Sequence, residues 1–221
     1  MRIVALADTH MQHEELHLPP GDLLIVAGDL CCWGELPEVA AALGWLYRAP
    51  HRTKVLVAGN HDWPFQRERA RTLALLPPDV VYLEDGAATV DGLRLWGSPW
   101  QPEFGSWAFN LPRGRPLAEK WSLIPPAIDV LVTHGPPAGF GDRAWRGRST
   151  GCSSLRARVD ELRPKLHLFG HIHEDGGVWE AGGTLYANVT VWEGERSPTV
   201  FDVDQARGTV RAVKVPPARR R

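Results

Sequence analysis

What this chain lacks narrows its class. Its 221 residues include only three cysteines, Cys31, Cys32 and Cys152. None has C-x-x-C spacing, and adjacent Cys31 and Cys32 are poorly placed to bridge each other. Neither a disulfide framework nor a thiolate zinc site is expected, so the three read as buried or half-buried free thiols. No apolar run approaches the ~20 residues that a membrane-crossing helix needs. The opening "MRIVALADTH" holds one short apolar stretch that stops at Asp8, too short for a secretory signal. A cytoplasmic protein with no membrane contact is expected. Charge of one sign is missing too: 25 Lys+Arg face 26 Asp+Glu, for a net charge of −1. No global basic field favours a nucleic-acid polymer or an anionic membrane. There is no repeat, no low-complexity tract and no Pro/Gly/Ser linker. The length and the 43% hydrophobic content suit one domain, expected over residues 1–215, with a basic tail at 216–221.

What is present is a recurrence. Five short apolar runs end abruptly in polar clusters. "RIVALADTH" ends in Asp8 and His10, and "DLLIVAGDL" in Asp29. "KVLVAGNHD" ends in Asn60, His61 and Asp62. "IDVLVTHGPP" ends in His134, and "LHLFGHIH" in His171 and His173. Runs of Val, Leu and Ile without polar alternation read as strands covered on both faces. Open α/β sheets bind ligands at the carboxyl ends of such strands. If the five runs share a sheet edge, all five clusters can converge there.

Helical patterns lie between them at Leu36–Ala49, Pro64–Leu76 and Ser153–Pro164, the last opening on candidate N-cap serines. Three hairpins are expected, one turning at Asp91-Gly92, one at a Gly-Gly pair in "VWEAGGTLYANVTVW", and one near the end. "LPRGRP" and "IPPAID" read as loops. Alternation of strand and helix argues for a layered α/β fold.

The candidate ligands are Asp8, His10, Asp29, Asn60, His134, His171 and His173. Oxygen and imidazole donors without sulfur suit manganese, iron or zinc better than calcium. Seven donors exceed one four-coordinate zinc but suffice for two ions if a carboxylate bridges, and Asp29 is the natural bridge. Asp8 and His10 are two apart, as are His171 and His173, and such residues at an extended strand end project to one side. Two ions would lower the pKa of a shared water and neutralise a phosphate's oxygens. His61, not needed as a ligand, is free to donate a proton to the leaving oxygen. Asp62 would orient His61 or a ligand histidine. His167 reads as structural, and His13, His17 and His51 as surface histidines. Each motif alone is weak; five strand ends delivering ligand-type residues are hard to obtain as decoration.

The set D-x-H, GD, GNHD, HG and GHxH resembles the calcineurin-like metallophosphoesterase superfamily. It spans residues 8 to 173 here. Longer strings such as "HGPPAGFGD" and "GSPWQPEFGSWAFNLPRG" are similar to its metallophosphoesterase-domain-containing branch, associated with cyclic-nucleotide phosphodiesterase activity. The resemblance implies a four-layer α/β/β/α sandwich. It implies two divalent ions, manganese first and iron or zinc as alternatives. One ion takes Asp8, His10, Asp29 and His173; the other takes Asp29, Asn60, His134 and His171; His61 is the catalytic histidine. Some relatives replace the first histidine of GHxH with glycine and are poor enzymes; His171 is present here. The expected activity is hydrolysis of small phosphodiesters, including 2′,3′- or 3′,5′-cyclic nucleotides, by a metal-bridging hydroxide. Phosphomonoester or phosphoprotein hydrolysis, and a non-catalytic scaffold, are the alternatives. Trp96–Gly114, with Asn110 and Arg113, and the 140–151 loop, with Arg143, Arg146 and Arg148, are candidate pocket walls.

Overall fold

The computed structural model describes residues 1–217. Most of the expected basic tail, from 218 onward, lies outside them. Two six-stranded sheets account for the apolar runs. The first contains β1 (Arg2–Leu6), β2 (Leu23–Ala27), β3 (Thr53–Val57) and β4 (Val80–Tyr82). The second contains β5 (Gly86–Val90), β6 (Leu93–Ser98), β7 (Val130–Thr133), β8 (Leu166–Phe169), β9 (Gly177–Ala181) and β10 (Thr184–Asn188). Finally β11 (Thr199–Asp204) and β12 (Thr209–Lys214) return to the first sheet. The orders are β12-β11-β1-β2-β3-β4 and β9-β10-β8-β7-β6-β5. β1 to β4 run parallel, as do β6, β7, β8 and β10.

Strand alternation builds the layers. Ile3, Ala5, Ile25, Val55 and Val57 meet Leu95, Val130, Val132, Leu166 and Leu168 in one cluster between the sheets. The opposite faces, Val4, Leu6, Leu24, Val26 and Leu56, pack on α1 (Leu36–Arg48) through Val39, Leu43 and Leu46. On the far side Trp96, Leu131 and Phe169 pack on Leu117 and Trp121 of α4 (Arg115–Ser122) and on Leu155 and Val159 of α5 (Ser153–Leu162). The result is an α/β/β/α sandwich. Its central strands are covered on both faces, which is why their sequences show no polar alternation.

The hairpins fall where expected. Asp91 and Gly92 both have positive φ (48° and 84°), as the two central residues of a tight primed turn require. Three helical expectations change. The segment from Pro64 splits into α2 (Trp63–Arg67) and α3 (Arg69–Leu73), because Glu68 leaves helical geometry at φ −124° and ψ 36°. α4 begins inside the segment read as a loop, with proline in its first turn. The α5 N-cap is Cys152, not a serine; its sulfur accepts the Leu155 N–H at 3.4 Å. No described helix is long and apolar enough to cross a membrane.

Of the histidines assigned to the surface, His13 and His51 are instead buried. His13 packs on Trp45, and His51 bonds the Pro19 carbonyl at 3.1 Å. His17 is exposed, as expected. Cys31 and Cys152 are buried and Cys32 half-buried, all free. Arg196, also buried, donates to the carbonyls of Thr190, Pro216 and Pro217.

His167 is structural and fully buried on β8. The Thr133 hydroxyl donates to the Gly135 carbonyl at 2.8 Å, so His167 Nε2 donates to Thr133 Oγ1 at 2.9 Å. Its Nδ1 has no partner among the described residues. Burial lowers its pKa to about 3. Folding therefore holds the ring neutral, whereas the unfolded ring gains a proton below about pH 6.5. Stability is lost as pH falls from there. His167→Phe should remove about 2 kcal/mol of the stability change between pH 7 and pH 5, read from denaturant midpoints of the two proteins. Identical pH slopes would contradict this assignment.

Candidate metal centre

The five polar clusters do meet, but not at one sheet edge. β1, β2 and β3 end in one sheet and β7 and β8 in the other, and these two edges lie side by side. Among the described residues, ligand atoms gather in three groups, each within 4.8 Å: Asp8, His10 and His173; His10, Asp29 and His61; and Asp29, His134 and His171. Asn60 joins the last through Oδ1, 2.9 Å from His134 Nε2.

The backbone presenting them is not extended, as the two-residue spacing suggested. Asp8 (φ 60°), His10 (φ 41°), Asp29 (φ 56°) and His171 (φ 71°) are all left-handed, and His173 opens a short 3-10 turn. Left-handed non-glycine residues cost about 1 kcal/mol each. They persist because bonds between strand ends define them. His10 N–H donates to the Asp29 carbonyl and Asp8 N–H to that of Gly28. His171 N–H donates to both oxygens of Asp8 at 3.0 Å. Gly28 admits the close approach: a Cβ there would lie 2.4 Å from His134 Nδ1.

Asp62 does not orient a histidine. Its buried carboxylate accepts the backbone N–H groups of Asp29, Leu30, Cys31 and Gly59 at 2.8–3.0 Å. It thereby ties the β2 and β3 loops together and shapes the turn that aims Asp29.

Hydrogen bonds also settle which ring nitrogens face inward. Carbonyl oxygens only accept, so His10 Nδ1 carries the proton donated to Cys31 (3.0 Å), and His134 Nδ1 the one donated to Ala27 (2.8 Å). Inside the site, His10 Nε2 lies 3.2 Å from His173 Nε2. His134 Nε2 faces Asn60 Oδ1 and, at 3.3 Å, Asp29 Oδ2. Electron pairs thus confront one another with only a proton or a cation to hold them. Burial works against the charged form of His134, but Asp29 outweighs it and raises the pKa to about 9. Burial would also raise Asp29, yet His134, His10 and His61 hold its carboxyl below the ordinary carboxylate range. Burial, with His134 beside it, lowers His171 to about 3 and leaves that ring a neutral donor. Buried carboxylates, inward imidazole lone pairs and an amide oxygen, without sulfur, fit divalent ions of the manganese, iron or zinc kind.

His61 stands over this floor. Its Nδ1 donates to the Cys32 carbonyl at 2.6 Å and its N–H to Asp29 Oδ1 at 2.8 Å. The ring stacks on Trp107 with centroids 4.2 Å apart. Two supporting groups escaped the sequence reading because neither is a ligand type at a recognised strand end. Asn188, ending β10, donates to the Ile172 and Gly141 carbonyls and braces the GHIH loop. Glu38 accepts the N–H groups of Cys32, Trp33, Gly34 and Glu35 and so fixes the carbonyl that holds His61. Glu38→Gln should lower kcat roughly 3- to 10-fold through this displacement while metal content, by atomic absorption, stays the same. Unchanged kcat would remove Glu38 from this chain of support.

Above the donors opens a cleft of about 780 Å³. Both candidate walls line it. Phe104, Trp107 and Arg113 come from the first, and Trp145, Arg146 and Arg148 from the second. Arg113 is spent on structure, donating to the Gly151 and Thr150 carbonyls. Asn110 also faces its own loop, bonding Phe104, Gly105 and Gln101.

The family model for calcineurin-like phosphoesterases matches residues 1–175. Metallophosphoesterase domain-containing protein 1 of Homo sapiens is 39% identical over 238 residues, covering 94% of this chain and 72% of that protein. A UPF0046 protein of Caenorhabditis elegans is 35% identical over 228 residues, covering 92% and 81%. Among solved structures, TT1561 of Thermus thermophilus is similar at a TM-score of 0.62 and 15% identity, over 96% of this chain and 97% of that one; that likeness is one of fold.

Proposed function

Because this chain belongs to the calcineurin-like phosphoesterase family, we propose that it is a metal-dependent phosphodiesterase acting on small phosphodiesters, cyclic nucleotides among them. The observation that carries this reading is the cleft. Its lining holds Asp29, Asn60, His171 and His173 together with aromatic groups from two separate segments, Phe104 and Trp107 from one and Trp145 from the other. A diester carries two organic substituents for such groups to contact, whereas a monoester carries one.

In this reading Asp8, His10, Asp29 and His173 would hold one ion, and Asp29, Asn60, His134 and His171 would hold a second. Bound there, divalent ions lower the pKa of water to yield a nucleophile at neutral pH and offset the charge on the phosphate. The protein's own part is orientation and proton transfer. With Nδ1 tied to Cys32, His61 turns its other nitrogen toward the cleft, placed to protonate the departing oxygen. Trp107 fixes the plane of that ring.

A substrate panel tests the reading: bis-p-nitrophenyl phosphate, p-nitrophenyl phosphate, 2′,3′- and 3′,5′-cyclic nucleotides and a phosphopeptide, each with Mn²⁺ and with EDTA. Diesters are expected to turn over with metal and to stop with chelator. Turnover of monoesters alone would refute the diesterase assignment, and no turnover with any metal would favour a scaffold.

A further inference from the structure

We propose that the ribbon formed by Arg143–Ala144 and Arg148–Ser149 is an arm that recognises a second phosphate group on the substrate, away from the one that reacts. This rests on the phosphodiesterase reading and names the substrate class more closely: small phosphodiesters that carry a further phosphate.

The ribbon has a braced base and a bare tip. At the base, buried Asp142 accepts the N–H of Gly139 at 3.1 Å, that of Gly151 at 3.2 Å and the Ser149 hydroxyl. Asp175 accepts the Arg143 N–H at 3.0 Å, and Arg113 grips the carbonyls of Thr150 and Gly151. Asp175 and Arg113 thus serve to hold this ribbon against the cleft. The tip is Trp145-Arg146-Gly147, where Arg146 sits at φ 62° and ψ 22°. A left-handed arginine is strained, and such strain collects at ligand clamps. Trp145 is 71% exposed although it borders a cleft.

The charges on the tip point to an anion. Several other surface arginines are matched: Arg2, Arg48, Arg52, Arg115 and Arg211 each pair with a carboxylate, while Arg67 lies over the Trp63 ring and Arg163 donates to the Asp160 carbonyl. Arg146 and Arg148 line the cleft with no carboxylate partner among the described residues. Glu103 and Glu174 also line the cleft but pair with neither arginine, and Arg113, a further lining arginine, is held by the Gly151 and Thr150 carbonyls. Two guanidinium groups on a short ribbon suit a dianionic phosphate, which each can contact through paired N–H bonds.

Calorimetry tests this without relying on turnover. Thymidine 3′,5′-bisphosphate and thymidine 5′-monophosphate are titrated into the Mn²⁺-loaded protein and into the Arg146→Ala/Arg148→Ala variant. Both positions are exposed, so folding should be intact, which circular dichroism verifies. The wild type is expected to bind the bisphosphate about tenfold more tightly than the monophosphate, and the variant to lose that preference; the gap should shrink at high salt. Equal affinities in the wild type, or a preference that survives in the variant, would overturn the arm. A parallel assay compares thymidine 5′-(p-nitrophenyl phosphate) with its 3′-phosphorylated form. If neither is hydrolysed while the arginine-dependent binding preference remains, the diesterase reading fails and the arm stands.

Discussion

Replacing Asp29 with alanine should strip the centre of metal and lower phosphoester turnover by at least about 10³-fold, the scale of several kcal/mol that metal catalysis supplies. Asp29 is the one carboxylate shared by two of the three ligand-atom groups. Its Oδ2 lies 3.3 Å from His134 Nε2 and 3.8 Å from His10 Nε2, and its Oδ1 anchors the His61 backbone. Removing it disconnects both halves of the site at once. Atomic absorption on dialysed protein, beside rates on bis-p-nitrophenyl phosphate, checks both parts. Asp29→Asn, which keeps the volume, separates charge from shape. In chelated Asp29→Asn protein, His134 loses the partner that raises its pKa to about 9, and burial takes over. Its titration, followed by NMR, should move down. A variant with full metal and wild-type turnover would end the role of Asp29 as a bridge.

His61→Ala should cut turnover by about 10²- to 10⁴-fold, the usual contribution of a positioned acid, while metal content stays whole. The loss should depend on the leaving group. A p-nitrophenolate departs well as an anion and gains little from a proton, whereas a nucleoside alkoxide gains much. Cyclic nucleotides should therefore suffer more than p-nitrophenyl esters. Geometry makes this a real test, because a His61 ring nitrogen also falls within 4.8 Å of donor atoms of His10 and Asp29. Metal lost together with activity would make His61 a ligand instead.

Much of the site was legible because its chemistry sits at the ends of strands that cannot hide their polar residues. A histidine or aspartate closing a run such as "VLVTH" breaks a pattern that burial otherwise enforces. The split between two sheets was not legible: doubly covered strands of Val and Leu look alike whichever sheet they join. Local geometry was hidden too. Nothing in "ADTH" announces left-handed backbone at Asp8 and His10, since that conformation is imposed by bonds to Gly28 and Asp29 from another strand end. Asp62 reads as a partner for its neighbour His61, yet it serves four backbone amides of two loops. α4 was missed because its first turn begins inside "LPRGRP", whose prolines and glycine suggest continued loop.

The side-by-side edges of the two sheets carry a kinetic meaning. Donors from residue 8 and residue 173 come together only when the halves of the sandwich have closed, so no early folding fragment contains a complete site. Contacts this distant in sequence form slowly. Any ion bound there recognises the closed sandwich and not the open chain, and at a hundred times its dissociation constant it contributes about 2.7 kcal/mol to keeping the two sheets together. The centre would then also be the latch of the fold, with chelation loosening the seam between the sheets before either sheet loses its own strands.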